Sequence, residues 1–161
     1  MIKEYFKKDR PQILSVINNA AIKYKEIIPN NCWQEPYMTE KKLYDELTNG
    51  VRMFGYNTKG KLVGVMGIQK LNELILIRHA YVLTLFQSKG IGSKLLKHLI
   101  NRNKKSRLLV GTWRKANWAI QFYEKLDFIL HTKKNSSRLL QKYWEIPLKQ
   151  INNSVVLERF K

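Results

Sequence analysis

A strand-to-helix junction built around two glycines constrains this chain more than any other feature. The run Leu71–Leu83, rich in Leu, Ile and Val, reads as a strand. It passes through Gln87-Ser-Lys-Gly90-Ile-Gly92 into a helical pattern with Ile91, Leu95, Leu96, Leu99 and Ile100 on one face. Glycines at such a junction let the backbone turn tightly and come close to a ligand. The free N–H groups of the loop and first helical turn then converge, and the helix dipole favours an anion there. A pyrophosphate fits this arrangement, with Ser88, Lys89, Ser93 and Lys94 adding donors and charge. A Walker loop would need Gly-x4-Gly-Lys-Ser/Thr, which does not occur. A dinucleotide fingerprint would need a third glycine where Leu95 stands. A glycine-bearing turn with no ligand is the remaining alternative for the motif taken alone.

The chain is of single-domain size, 161 residues, and is expected to form one domain over 1–161. Its charge is unusual, with 30 Lys and Arg against 12 Asp and Glu, a net +18. Such a balance suits a nucleic-acid or anionic-membrane surface, or a solvated lysine-rich surface with a site for a polyanion. The basic residues are scattered and Lys outnumbers Arg 22 to 8, which favours the second reading. Nucleic acid is therefore not expected as a partner. No run approaches the roughly 18 apolar residues of a membrane span, and the N-terminus lacks the apolar core of a secretory signal. With a lone cysteine, Cys32, and no metal-spaced Cys/His cluster, a cytoplasmic, metal-free protein is expected.

Around the junction, the pattern alternates strands and helices. A short strand near residues 2–6 precedes a helix from Asp9 and Pro11, whose apolar residues run at helical spacing as far as Ile28. Thr39 caps a second helix that stops at Asn49-Gly50. Val51–Tyr56 and Leu62–Ile68 form a hairpin about Asn57–Gly60. After the Gly90–Asn103 helix come a strand over Arg107–Thr112, a helix over Ala116–Leu126, a strand over Phe128–Thr132, a short helix over Ser137–Trp144 and a last strand over Ser154–Phe160. This order implies a mixed α/β sheet covered by helices.

Twenty-five residues past Gly92 lies Asn117-Trp-Ala-Ile-Gln-Phe-Tyr-Glu-Lys-Leu-Asp-Phe128. Gln87-x-x-Gly90-x-Gly92 resembles motif A of the GNAT superfamily of acetyl-CoA-dependent N-acetyltransferases. The later stretch, with Asn117, Ala119, Phe122, Tyr123 and Leu126, resembles motif B. The resemblance implies an α/β GNAT fold: a central mixed, mostly antiparallel sheet flanked by helices, with a V-shaped splay between the fourth and fifth strands. It also implies acetyl-CoA as donor and a primary amine as acceptor. The cofactor-binding set it implies is Val82, Leu83, Thr84, Gln87, Ser88, Lys89, Gly90, Ile91, Gly92, Ser93, Lys94, Asn117, Tyr123 and Lys125. The Val82 backbone N–H is the implied oxyanion donor. Tyr123 is the implied general acid toward the departing thiolate, since a phenol is protonated at neutral pH.

One part of the family pattern is missing. Relatives often carry a Glu or His base nine or eleven residues before the motif's first residue, and here those positions hold Arg78 and Leu76. Neither can accept a proton at neutral pH. His79 is adjacent, but strand alternation turns it away from Arg78 unless a bulge intervenes. His98 and His131 have nothing in their favour. Glu35, or Glu73, is a candidate for the acceptor side, and Arg78 would suit an acceptor carrying a carboxylate. Trp33, Tyr37 and Trp144 are candidate aromatic walls. Without a base, the alternative is a non-catalytic GNAT-fold module that binds acyl-CoA or a partner. A homodimer through the C-terminal strand is a further expectation.

Overall fold

The computed structural model describes residues 1–160. Seven strands form one sheet: β1 (Ile2–Tyr5), β2 (Val51–Thr58), β3 (Lys61–Leu71), β4 (Leu74–Val82), β5 (Arg107–Trp113), β6 (Ile129–Leu130) and β7 (Ser154–Arg159), in the spatial order β1-β2-β3-β4-β5-β7-β6. Every pairing is antiparallel except β4 with β5. The helices are α1 (Arg10–Ala21), α2 (Glu40–Thr48), α3 (Ile91–Arg102), α4 (Asn117–Glu124), α5 (Lys133–Tyr143) and α6 (Leu148–Ile151).

Alternation along the strands distributes these helices over two faces. Ile75 and Ile77 of β4 pack with Leu95, Leu96 and Leu99 of α3 and Tyr123 of α4. Leu74 and Leu76, pointing the other way, pack with Leu140 of α5 and Ile151 of α6. On that second face, the first half of the sheet is covered by α1 and α2 through Ile13, Val16, Ile17 and Leu43. Close approach of α3 depends on Gly64, where an added Cβ would lie 2.9 Å from Ile91 and 3.3 Å from Leu95.

The structure bears out the mixed sheet and its splay. Parallel pairing of β4 and β5 runs over four rungs, from Leu74 opposite Arg107 to Ile77 opposite Val110, and then stops. Several boundaries differ from the expectation. The first helix ends at Ala21, and a 3₁₀ turn over Ile22–Tyr24 redirects the chain so that Tyr24 and Ile28 pack beside Trp113 and Ala119. The run Leu71–Leu83 is interrupted, because Asn72 and Glu73 turn β3 into β4. α4 ends at Glu124, Asp127 turns the chain at φ 69°, and Thr132 accepts from the Asn135 N–H at 3.2 Å to start α5, which leaves only two residues of the expected 128–132 strand. The C-terminal strand is interior, with β5 on one side and β6 on the other. His131 N–H also donates to the Val156 carbonyl, and Val156 N–H donates to Ser136 Oγ. Among the described residues, β7 has no open edge from Val156 to Glu158 for the expected strand-to-strand dimer.

Glu158 of β7 fixes this half of the sheet. It is 1% exposed and accepts from Arg107 Nε of β5 at 2.6 Å and from His131 Nε2 at 2.8 Å. Burial works to raise its pKa, but the bonds and charges of Arg107 and His131 prevail and hold it below the usual carboxylate range. Replacing Glu158 with Gln removes the charge at constant shape and should cost about 1.5–3 kcal/mol at neutral pH in urea unfolding. The difference from wild type should be full above about pH 4.3, the unfolded value, and should close as pH falls through the lowered folded value.

Candidate active site

Past Ile77 and Val110 the two strands separate, and the edge of β4 loses its partner on the β5 side. Its pairing with β3 continues, with Val65 opposite Tyr81 and Gly64 opposite Val82. Leu83 N–H donates to the Val63 carbonyl at 2.9 Å. In an antiparallel ladder, neighbouring residues direct their peptide groups to opposite sides, so those of Val82 face the open cleft. On that side the Val82 carbonyl accepts from Gln87 Nε2 at 3.0 Å. Gln87 thus braces the peptide that follows Val82, while the Val82 N–H, the oxyanion donor implied by the resemblance, stays directed into the cleft.

The loop after β4 adopts the expected turn. Ser88 has φ 61° and Gly90 φ 80°, both left-handed, and Gly90 is the N-cap of α3, its carbonyl accepting from Lys94 N–H at 3.0 Å. The first N–H groups of α3 have no partner within the helix and point out of its start. They border a cavity of about 450 Å³. From the expected set, Val82, Gln87, Ser88, Gly90, Ile91, Gly92, Ser93, Tyr123 and Lys125 line it. Leu83, Thr84, Lys89, Lys94 and Asn117 do not. Leu83 and Thr84 border a separate surface groove, and Thr84 N–H donates to Asn19 Oδ1. Lys89 lies over the Phe86 ring and Lys94 over Tyr56. Asn117 is the first residue of α4, with Ala116 as its cap. Lys23, Tyr24 and Trp118 of α4 are among its further walls. None of the three was among the expected binding residues.

A second, smaller cavity of about 180 Å³ opens on the other side of the splay. It shares four walls with the first, Tyr24, Ala80, Tyr81 and Tyr123, so the two spaces meet there. Aromatic rings surround the junction. Tyr24 and Tyr37 each lie edge-on to Tyr81, with ring centroids 6.1 and 6.2 Å away, and Tyr24 also contacts Trp118. Burial pushes the Tyr24 phenol up to about 12 and those of Tyr81 and Tyr123 well above their ordinary value. All three are therefore protonated hydrogen-bond donors at neutral pH.

The acceptor-side expectations fare differently. Of the expected aromatic walls, Tyr37 and Trp144 border the second cavity and Trp33 does not, while Trp113, which was not expected, also lines it. Glu35 is not among its walls; its carboxylate is turned to solvent and bonds Trp33 Nε1 at 3.0 Å and Lys25 at 3.4 Å. Leu76 is fully buried among apolar side chains. Arg78 lines the cavity, yet its guanidinium is already engaged, donating to Gln69 at 2.7 Å and to Glu46 at 2.8 Å. His79 defies simple alternation. Gly67 sits opposite Arg78 and Val65 opposite Tyr81, so Met66 faces two residues, His79 and Ala80, across a bulge. His79 takes φ 54° there and reaches the same Glu46 oxygen as Arg78, at 2.6 Å. The signal for this bulge was Gly67, a glycine in a strand interior whose Cβ would lie 3.1 Å from the Arg78 carbonyl.

Comparison with known proteins agrees with this geometry. A model of the acetyltransferase (GNAT) domain matches residues 15–140. Among solved structures, the chain is similar to the PaiA N-acetyltransferase of Thermoplasma acidophilum in complex with coenzyme A, with a TM-score of 0.74 at 15% identity over 100% of this chain and 98% of that one. It is similar to the ribosomal-protein-S18-alanine N-acetyltransferase of Escherichia coli, with a TM-score of 0.72 at 17% identity over 99% of this chain and 92% of that one. An acetyltransferase of Streptococcus agalactiae gives a TM-score of 0.74 at 17% identity, covering 100% and 98% of the two chains. Among curated protein sequences, none matches. These identities carry the fold alone, whereas the domain match covers most of the chain.

The left-handed cap of α3 gives a direct test. A Cβ at Gly90 would meet nothing within 4 Å, so substitution there probes backbone strain without a clash. Gly90→Ala should destabilise the protein by about 1–2 kcal/mol in urea unfolding, the ordinary penalty for an L-residue in that conformation.

Proposed function

The chain belongs to the GNAT acetyltransferase family, and we propose that it is an N-acetyltransferase moving the acetyl group of acetyl-CoA to a primary amine by direct attack within a ternary complex. The observation that carries this reading is the meeting of two cavities at Tyr24, Ala80, Tyr81 and Tyr123. One cavity begins at the phosphate-type loop and runs along the open edge of β4, which suits a long thioester with a polyanionic end. The other enters from the opposite side and suits the amine.

Acetyl-CoA is the donor used by the family, and the residues of the first cavity fit it. Outward N–H groups at the start of α3 and the charges of Lys23 and Lys125 suit the pyrophosphate, with no Asp or Glu among the walls. The unpaired edge of β4 suits the pantetheine arm, which can bond it as an added strand would. The Val82 N–H, directed into the cleft, would donate to the thioester oxygen as charge develops there, an interaction commonly worth roughly 2.7–4 kcal/mol in the transition state. The Tyr123 phenol faces the junction as a proton donor toward the thiolate. Its raised pKa makes outright loss of the proton unfavourable. It therefore relays, passing its proton to sulfur as it takes one from the newly acylated nitrogen.

The second cavity also limits the acceptor. Its charged walls are Lys42 and Arg78, and no Asp or Glu lines it. Polycationic amines are disfavoured there, while amines with no second positive charge, or with a carboxylate, are accommodated. The small volume favours a compact acceptor.

Thiol release from acetyl-CoA across an amine panel tests the whole reading. Compact neutral or carboxylate-bearing amines should stimulate release, and di- and polyamines should lag. A chain whose melting temperature rises with acetyl-CoA while no amine stimulates release would be a binding module instead. Tyr123→Phe should lower kcat by about 100-fold, while the acetyl-CoA KM changes by less than about twofold. Equal loss in both terms would remove Tyr123 from the chemistry.

A further inference from the structure

We propose that His79, held by Glu46, is the group that takes the proton from the acceptor ammonium. This inference rests on the acyl-transfer reading and supplies the base that Leu76 and Arg78 cannot. An alkyl amine with a pKa near 10.4 is protonated at neutral pH, and freeing it costs about 4.6 kcal/mol at pH 7. The nitrogen cannot attack the thioester until that proton has gone.

The bulge in β4 places His79 for this task. Regular alternation would have sent its side chain to the face of α3, away from the second cavity. The extra residue opposite Met66 and the left-handed backbone at His79 turn it instead toward α2, where it lines the cavity next to Ala80, a wall of the junction. A left-handed β4 residue that is not glycine is costly, and such strain gathers at functional positions.

The chemistry around the ring agrees. Glu46 is mostly buried, and its Oε1 takes both Arg78 Nη2 at 2.8 Å and His79 Nε2 at 2.6 Å. Burial alone would raise its pKa, but the His79 bond and charge, with Arg78 and Lys42, bring it down to about 2. An ionised carboxylate only accepts, so Nε2 carries the proton and Nδ1 keeps its lone pair. Among the described residues Nδ1 has no hydrogen-bond partner, and His79 is one of the walls of the second cavity. Burial first, then Arg78 and Lys42, hold the imidazole pKa below its ordinary value against the pull of Glu46, so the ring is neutral and ready at pH 7. The groups facing it are Glu46 and Lys42 from α2 and Arg78 from β4, with Gln69 of β3 holding the other side of the Arg78 guanidinium.

The step balances without another reactant. Nδ1 takes one proton from the ammonium, giving an imidazolium against Glu46 and a free amine. The amine nitrogen bonds the acyl carbon, the carbon–sulfur bond breaks, and the second nitrogen proton passes to the thiolate through Tyr123. His79 then returns its proton to water. In this scheme His79 is catalytic, and Glu46 is a positioning residue.

His79→Asn is the informative variant, because Asn tolerates a left-handed backbone better than most residues. It should leave the acetyl-CoA KM unchanged and cut kcat about 100-fold or more for an alkylamine. An aromatic amine, already neutral at pH 7, should lose far less. The acidic limb of the alkylamine kcat/KM profile, which in wild type falls below the lowered His79 pKa, should also disappear. Glu46→Gln keeps an acceptor beside Nε2 without the charge, and should move that limb to lower pH; it serves if His79→Asn does not fold. Equal losses for both acceptor classes, or an unchanged limb, would overturn the proposal while leaving acyl transfer intact. Absence of turnover by wild type with any amine would instead sink the functional reading beneath it.

Discussion

Parallel pairing between β4 and β5 lasts for only four rungs, and the molecule is organised around what happens to the backbone after it stops. Unpaired peptide groups are not left buried without partners, so each side of the splay is handled differently. On β4 the Val82 carbonyl is taken by Gln87, and the remaining edge faces a cavity. On β5 the strand stays in register with β7 through Trp113, and that pairing is secured by Glu158 between Arg107 and His131. One strand is therefore held by the left half of the sheet and the other by the right half. The opening between them is a property of the whole sheet.

The glycines and the acids divide the remaining work. Gly64 lets α3 sit close to the sheet, which brings its N-terminus to the mouth of the cleft, and Gly67 makes room for the bulge that redirects His79. The chain has only 12 acidic residues against 30 basic ones, and those that matter structurally are spent on pairs: Glu4 with Arg52, Glu46 with Arg78 and His79, and Glu158 with Arg107 and His131. Neither cavity at the splay keeps an acidic wall. The excess of lysine is thus felt at the site as well as over the surface. It suits a polyanionic donor on one side and, in the proposed function, disfavours a polycationic acceptor on the other.

Much of this was legible in the residue order. Gln87-x-x-Gly90-x-Gly92 and Asn117–Phe128 carried the family, and the family carried the sheet, the splay and the donor. Local chemistry was read correctly where it was short-range, as with Thr39 capping α2 and the turn at Lys59 and Gly60. It failed where a local pattern continued past the point at which packing took over. Helical spacing ran on to Ile28, but the chain turned at Ala21 so that Tyr24 could cross the cleft. Apolar residues ran unbroken through Leu71–Leu83 and concealed the turn at Asn72-Glu73.

By itself, then, the sequence determined the order of strands and helices and the turn at Gly90, because glycine and hydrophobic period encode such backbone conformations locally, while the family resemblance supplied the arrangement of the sheet. The second cavity and its surroundings were decided only in three dimensions. Tyr24, Glu46, His79 and Tyr81 come from three separate segments, and none of them stands in a motif. Strand alternation, which is the best sequence rule available, assigns His79 to the wrong face. A single extra residue opposite Met66 reverses that assignment, since side chains along a strand alternate with a period of two and a bulge shifts their phase.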